Sequence, residues 1–208
     1  MAQPVLAKEK TMRELILKMS MSLDGFVSGP DGEIEWMFSG DQEAIAWSVE
    51  TVSNASLHIM GSRTFQDMAA FWPTSTGVFA PPMNQIPKAV FSRQGAVILK
   101  AAANTQSGQL QPGADSWDEA IVASGDLAGD IARLKSGDGK PIIAHGGAAF
   151  ARSLIGRELV DQYALLVHPV ILGKGLPIFS DLVLPRRLKL ISATAFPGGS
   201  VAQIYRPA

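Results

Sequence analysis

The stretch that most constrains the fold runs from Pro141 to Phe150, PIIAHGGAAF, where a short apolar run meets two adjacent glycines and restarts at once as a helical pattern. Ile142, Ile143 and Ala144 suit a buried strand. Gly146 and Gly147 remove every Cβ at its carboxyl end, so the backbone there can take φ > 0 and come close to another group. Ala148, Ala149, Phe150, Ala151, Leu154 and Ile155 continue as a helix whose free N–H groups point back at the glycines. A strand, a glycine pair and a helix N-terminus in this order suit a phosphate, and they equally describe a tight turn without a ligand. On these ten residues both readings stay open.

The same junction recurs along the chain. Leu15 to Met21, LILKMSM, predicts a first strand, closed by Ser22-Leu23-Asp24-Gly25 and followed by a second turn at Gly29 to Gly32. Phe26, Val27, Ile34, Trp36, Met37 and Phe38 lie scattered in loop-like sequence that either lines a pocket or caps the core. Ser39 with Gln42 reads as a capping box for a helix carrying Ile45, Val49 and Val52, ending near Asn54. A second strand, Ser56 to Met60, runs into Gly61-Ser62-Arg63-Thr64-Phe65, where Ser62 or Thr64 is placed to cap the next helix. Arg63 opposes the macrodipole at that helix start, which makes sense beside a bound anion; a solvated surface arginine is the plain alternative.

A proline-rich loop from Pro73 to Pro87 leads to a third strand, Lys88 to Ser92, ending at Ser92-Arg93. Ala96 to Lys100 suits a further strand, Ala101 to Ser116 a surface excursion, and Asp118 to Ala123 a short strand that meets Ser124-Gly125-Asp126-Leu127. Leu127, Ile131 and Leu134 then define a helix. After the opening stretch, Leu159 to Leu172 forms a long strand pattern interrupted by Pro169 and closed by Gly173-Lys174-Gly175. Leu188 to Ala195 and Ser200 to Tyr205 follow as strands around the hairpin signal Pro197-Gly198-Gly199. Strands alternating with helices, then strands alone, imply a mixed sheet with a parallel centre and an antiparallel edge.

In a parallel sheet the strands' carboxyl ends share one edge, where ligands bind. Gly61, Ser92-Arg93, Gly125 and Gly146-Gly147 therefore converge. Three helix N-termini with two arginines suit a ligand bearing several phosphates, and an arginine near a ribose is the usual answer to a 2′-phosphate. No GxGxxG, Walker A loop or GxSxG is present. His58, His145 and His168 fall on three separate strand patterns without metal-ligand spacing, and read as packed or hydrogen-bonded core residues, so no metal is expected. The carboxylate pairs Glu33/Glu35 and Asp118/Glu119 read as solvated charge.

The totals narrow the class. A chain of 208 residues supports one domain, expected over residues 13 to 208 behind a flexible tail of residues 1 to 12. A net charge of -1 without a basic cluster argues against nucleic acid, no apolar run is long enough for a membrane span, and Lys8, Glu9 and Lys10 stand where a signal peptide would need its apolar stretch. A cysteine count of 0 excludes disulfides, thiolate metal sites and a cysteine nucleophile, and fits a reducing cytoplasm.

Taken in order, SMSLDGFVSGPDG at 20 to 32, MGSRTF at 60 to 65, FSR at 91 to 93, SGDL at 124 to 127, AHGGAAFARSLI at 144 to 155 and LVDQYALLVHPVILGKGLPIF at 159 to 179 resemble the dihydrofolate-reductase-like superfamily. The branch most resembled is that of the C-terminal reductase domain of bifunctional riboflavin-biosynthesis deaminase-reductase proteins, although this sequence shows no zinc deaminase domain. The resemblance implies a three-layer α/β fold with a mixed, mostly parallel central sheet, an antiparallel C-terminal edge and helices on both faces. It also implies a cytoplasmic, homodimeric, NADPH-dependent reductase of a small heterocycle, either a pyrimidine of the riboflavin-biosynthesis type or a pteridine. A non-catalytic nucleotide-binding or scaffold protein that retains the fold is the alternative.

The resemblance further implies a cis peptide between Gly146 and Gly147 and pyrophosphate contacts from Ala148, Ala149 and Phe150. Arg63, Thr64, Ser92 and Arg93 would meet the 2′-phosphate or adenosine, with Gly61, Ser62, Gly125, Asp126 and Leu127 completing the cofactor set. Ser62 stands where many relatives carry arginine, and Arg63 offers that charge from the next position. For the substrate side the candidates are Asp24, Val27, Trp36 and Asp41. Dihydrofolate reductases hold the pterin with a carboxylate on the first helix. Counting forward from Trp36 reaches Asp41, whereas counting back from Gly61 reaches Ala44 or Ile45, which do not ionise.

Overall fold

The computed structural model describes residues 12–38, 40–103 and 108–208. An eight-stranded sheet organises them. Its strands are β1 (Leu15–Ser22), β2 (Leu57–Gly61), β3 (Lys88–Phe91), β4 (Ile121–Ala123), β5 (Ile142–Ala144), β6 (Gln162–His168), β7 (Leu188–Ala195) and β8 (Val201–Pro207). The helices are α1 (Gln42–Ser53), α2 (Ser62–Phe71), α3 (Ala80–Gln85), α4 (Val97–Ala103), α5 (Leu127–Lys135) and α6 (Ala148–Gly156). The strand order is β4-β3-β2-β5-β1-β6-β8-β7. The first six strands in that order run parallel, and β8 and β7 add the antiparallel edge.

Alternation along β1 assigns the two faces. Leu15, Leu17, Met19 and Met21 join Leu57, Ile59, Ile142, Ala144 and Leu165 beneath α5 and α6, which contribute Ile131, Leu134, Ala151, Leu154 and Ile155. Leu15 and Leu17 lose all exposure, which stabilises the fold by about 1.5–3 kcal/mol each. On the other face Ile16, Ile143 and Ala164 pack with Trp47 of α1, and Leu166 and Ala202 meet Ala44 of α1. Farther along that face Met60 and Val90 pack with Phe65 and Ala69 of α2, Met83, Ile98 and Trp117. Both layers of helices expected from the alternating pattern are therefore present, as is the antiparallel C-terminal hairpin.

Four local expectations change. Ala96 to Lys100 is part of α4 rather than a strand: β3 is already paired on both sides, by β2 and β4, and the run ends in helix-favouring alanines. The proline-rich loop contains α3, because Pro81 sits in its first turn, where a missing N–H costs nothing. Only Gln162–His168 of the long pattern pairs as a strand, since Pro169 removes a ladder donor. Ser39 of the expected capping box lies outside the described residues, and the N-cap of α1 is Asp41, whose carboxylate accepts from the Glu43 and Ala44 amides. The tail expected at residues 1 to 12 lies outside the described residues up to position 11.

Candidate functional site

The strands β4, β3, β2 and β5 are consecutive in the sheet, so their carboxyl ends form a row about 14 Å long, three strand spacings. Every residue expected at the cofactor falls on this row. Gly61 ends β2 and is the N-cap of α2; Ser92 and Arg93 follow β3; Gly125, Asp126 and Leu127 connect β4 to α5; and Gly146 to Phe150 connect β5 to α6.

The junctions are tied together across strands. The Gly61 amide donates to the Gly146 carbonyl (3.2 Å) and the Gly147 amide to Thr64 Oγ1 (2.7 Å), while Ser62 Oγ donates to the Phe91 carbonyl (3.1 Å). Ser62 and Thr64 thus bind neighbouring junctions, and neither caps α2. The peptide between Gly146 and Gly147 is cis. Gly146 has φ +84°, and a Cβ there would lie 2.9 Å from Met19 Sδ, so only glycine fits. A Cβ at Gly61 would approach Phe150 Cβ to 3.1 Å, and the Phe150 ring stacks near Phe91 at 4.9 Å.

The three helix starts differ in a way the sequence did not separate. Asp126 caps α5 by accepting from the Gly129 amide (3.0 Å), and buried Asp130 accepts from the Gly125 amide (3.1 Å). Negative charge already occupies that end. The N-caps of α2 and α6 are Gly61 and Gly147, and neither helix has a side-chain cap. Their first N–H groups retain the capacity to meet an anion. Arg63 and Arg93 are exposed, and neither makes a hydrogen bond or ion pair with the described residues. Two uncapped helix starts and two open guanidinium groups thus stand on one strand-end row, donors with the chemistry to meet an anion.

The substrate candidates separate from one another. Asp24 is a loop clamp: its carboxylate accepts from Ser22 Oγ (2.7 Å) and from the Leu172 and Gly173 amides (3.1 and 2.7 Å), and these bonds hold its pKa below the ordinary carboxylate value. Val27 is buried, its amide bonded to the Leu176 carbonyl (2.9 Å). Asp41 caps α1 and accepts from the Gly198 amide of the β7–β8 turn (2.6 Å). Trp36 packs edge-on against His168, on the sheet's α1 face, at 5.6 Å.

The comparisons with known proteins place this architecture. The model of the RibD C-terminal domain matches residues 13–202. The chain belongs to the RibD C-terminal domain family. It is 26% identical to the uncharacterized protein YyaP of Bacillus subtilis (strain 168), over 93% of this chain and 94% of that one. It superimposes with a TM-score of 0.65 and 17% identity on a diaminohydroxyphosphoribosylaminopyrimidine deaminase/5-amino-6-(5-phosphoribosylamino)uracil reductase from Thermotoga maritima, covering 96% of this chain and 58% of that chain. Dihydrofolate reductase from Enterococcus faecalis, complexed with NADP(H), shares the fold at a TM-score of 0.55 and 12% identity, covering 93% of this chain. The RibD family is one of reductases, so oxidoreductase is the class to which membership assigns the chain. Among the described residues no helix is long and apolar enough to cross a membrane, and no group of acidic or histidine side chains is arranged to hold a metal.

One polar residue near the site escaped the sequence reading. Lys18 lies in the middle of β1, on the α1 face, and burial lowers its pKa to about 8. The available signal was a lysine inside LILKMSM, an otherwise apolar central strand.

Proposed function

We propose that the protein is a cytoplasmic, homodimeric reductase that binds NADPH along the carboxyl edge of β3, β2 and β5 and reduces a small heterocycle. The observation that carries this reading is the pairing of uncapped helix starts at Gly61 and Gly147 with Arg63 and Arg93, whose side chains have no partner among the described residues. The fit to a dinucleotide is chemical as well as spatial. The first amides of α6, at Ala148, Ala149 and Phe150, suit a pyrophosphate, because they are donors beside backbone that carries no Cβ at Gly146 or Gly147. Arg93 and Arg63 stand at the neighbouring strand ends, where a 2′-phosphate distinguishes NADPH from NADH. Bound there, NADPH would supply a hydride to the acceptor. The protein's part is orientation: Thr64 holds the Gly147 amide, Ser62 holds the end of β3, and Phe91 with Phe150 forms an apolar wall behind the row.

The homodimer reading is supported by β7, which is exposed at all eight positions. Leu190 and Ile191 are each 50% exposed on this sheet edge, a surface that an antiparallel copy of itself would cover. A monomer in sedimentation would remove that part of the reading.

Fluorescence titration with NADPH tests the whole. Saturable binding at micromolar concentrations is expected, and failure to bind at several hundred micromolar rejects the proposal. The alternative, a non-catalytic nucleotide binder, draws support from Asp24 and Asp41 being committed to backbone amides. It predicts cofactor binding without NADPH oxidation across a panel of pterins, pyrimidines, quinones and aldehydes.

A further inference from the structure

Charge is divided along this chain in a way that neither the fold nor the cofactor reading uses. No lysine or arginine stands between Lys18 and Arg63, so the segment that holds α1 is acidic throughout. No Asp or Glu follows Asp181, and the charged residues there are Arg186, Arg187, Lys189 and Arg206. Two of these cations are used within the chain. Arg186 pairs with Glu158 and donates to the Gly156 carbonyl, and Arg206 pairs with Glu14. Arg187 and Lys189 are exposed, and their side chains make no hydrogen bond or ion pair with the described residues. The sheet register sets Lys189 directly opposite Arg206, a like-charge pair that disfavours the pairing. Its own neighbours thus supply Lys189 with no counter-charge.

Register also decides which way these cations face. Arg206 reaches Gln162, which stands opposite Ile16 on the α1 face of the sheet, so Lys189 lies on that face, and Arg187 shares its alternation two residues earlier. Both sit at the amino end of β7. The acids on the same face sit toward its carboxyl end. The first turn of α1 is tied to the β7–β8 turn by Asp41, and the Trp47 ring lies 6.4 Å from that of Phe196, the residue after β7. Glu43 and Glu50 stand four residues before and three after Trp47, so the three share the flank of α1 turned toward Phe196 and the end of β7. Both glutamates are exposed, and neither side chain is bonded to a described residue.

Separated within one chain, the two groups meet across a two-fold axis. Strand β7 pairs with β8 alone, so its outer N–H and C=O groups are free to pair. A lysine on such an edge turns away indiscriminate strand addition, and it admits a partner that brings a carboxylate to the same place. A second copy does this. Two antiparallel β7 strands related by an axis perpendicular to the sheet keep their α1 faces on one side, and the amino end of each lies beside the carboxyl end of the other. The cations of each copy then stand beside the acidic flank of the other's α1, and symmetry makes the contact twice.

We propose that Arg187 and Lys189 of one copy pair with Glu43 and Glu50 of a second copy, and that this charge match selects the partner and the antiparallel register at the β7 edge. The proposal rests on the homodimer reading above and adds what holds the two copies in place. Leu190 and Ile191 supply the apolar area at the centre of the contact, and the ion pairs at its two ends reject a shifted or parallel arrangement, in which like charges would meet.

Sedimentation of the full chain and two charge-reversed variants tests the match. Arg187→Glu with Lys189→Glu makes both ends of the contact acidic, and Glu43→Lys with Glu50→Lys makes both basic. Each variant alone is expected to dimerise about a hundredfold more weakly than the wild type, because like charges are set against each other twice. Mixed in equal amounts, the two should form a heterodimer, since every reversed charge then meets its opposite. Wild-type dimerisation should also weaken about tenfold between roughly 0.1 and 1 M NaCl, a measurement that needs no variant to fold. Variants that dimerise like the wild type, folded variants that stay apart on mixing, or a wild-type dimer indifferent to salt overturn the charge match and leave the homodimer reading in place. A wild-type chain that stays monomeric up to about 100 µM removes both.

Discussion

At the amino edge of the sheet, Asp161 accepts from the Leu15 amide and from Lys135 Nζ at 2.6 Å each, and Arg206 donates to Glu14 at 2.8 Å. At the carboxyl edge Arg63 and Arg93 reach no described partner, and on the adjoining face the ring nitrogens of His168 are bare. A surface depression of about 380 Å³ opens at the amino edge among Arg13, Glu14, Lys135, Asp161 and Arg206, yet these charges meet one another or the backbone. The contrast separates two uses of charge. Paired charge fastens strand β1 to its neighbours, and the charge on the glycine-rich edge is left without a partner among the described residues.

The comparison can be strained from several directions. The largest effect is expected from pH. His58 is held at about 4 by burial, below the unfolded value of about 6.5. Between those values the unfolded chain binds the extra proton, so stability falls as the pH falls, by up to about 3 kcal/mol for this group. Lys88, at about 7 against 10.5, acts with the same sign in a higher window, and stability should rise again between those values. Urea unfolding across a pH series measures both, and a stability flat from pH 4 to 6.5 would contradict the buried, neutral histidine.

Next comes Asp161→Ala, expected to destabilise by about 2–3 kcal/mol, because it strips an acceptor from a strand amide and leaves the nearly buried Lys135 ammonium unpaired. Cofactor affinity in the folded variant should not change. Gly146→Ala should cost about 1–3 kcal/mol through its positive φ and the contact with Met19, and unlike Asp161→Ala it should also lower NADPH affinity. Smallest is Arg206→Gln, expected within about 1 kcal/mol, since that pair is 41% exposed on each side. A large loss there would mean that the amino-edge pairs act as a network.

The sequence carried the fold because it is written in repeated local signals. Strand patterns ending in Gly61, Gly125 and Gly146 each open a helix, and the Pro197-Gly198-Gly199 turn joins β7 to β8. It failed where a choice depends on neighbours. Ala96 to Lys100 has strand-like residues, but the sheet had no free edge beside β3. Which helix starts remain open was illegible for a related reason: Asp126 looked like one more strand-end residue until its bond to the Gly129 amide was seen. The buried basic groups were harder still: His58 on β2, His145 directly after β5 and His168 on β6 are separated by up to 110 positions, and only the strand order, which puts β1 between β5 and β6, brings Lys18 within electrostatic reach of two of them.

The measurement that bears most directly on the carboxyl edge as a dinucleotide site is the affinity of Arg93→Ala for the two nicotinamide cofactors. Arg93 is exposed and makes no bond to the described residues, so the fold should be unaffected and any change belongs to the ligand. Dissociation constants for NADPH and NADH are compared with those of the wild type. The account predicts a loss of about tenfold or more for NADPH with NADH unchanged within about twofold. Equal losses for both cofactors, or no loss for either, would contradict it.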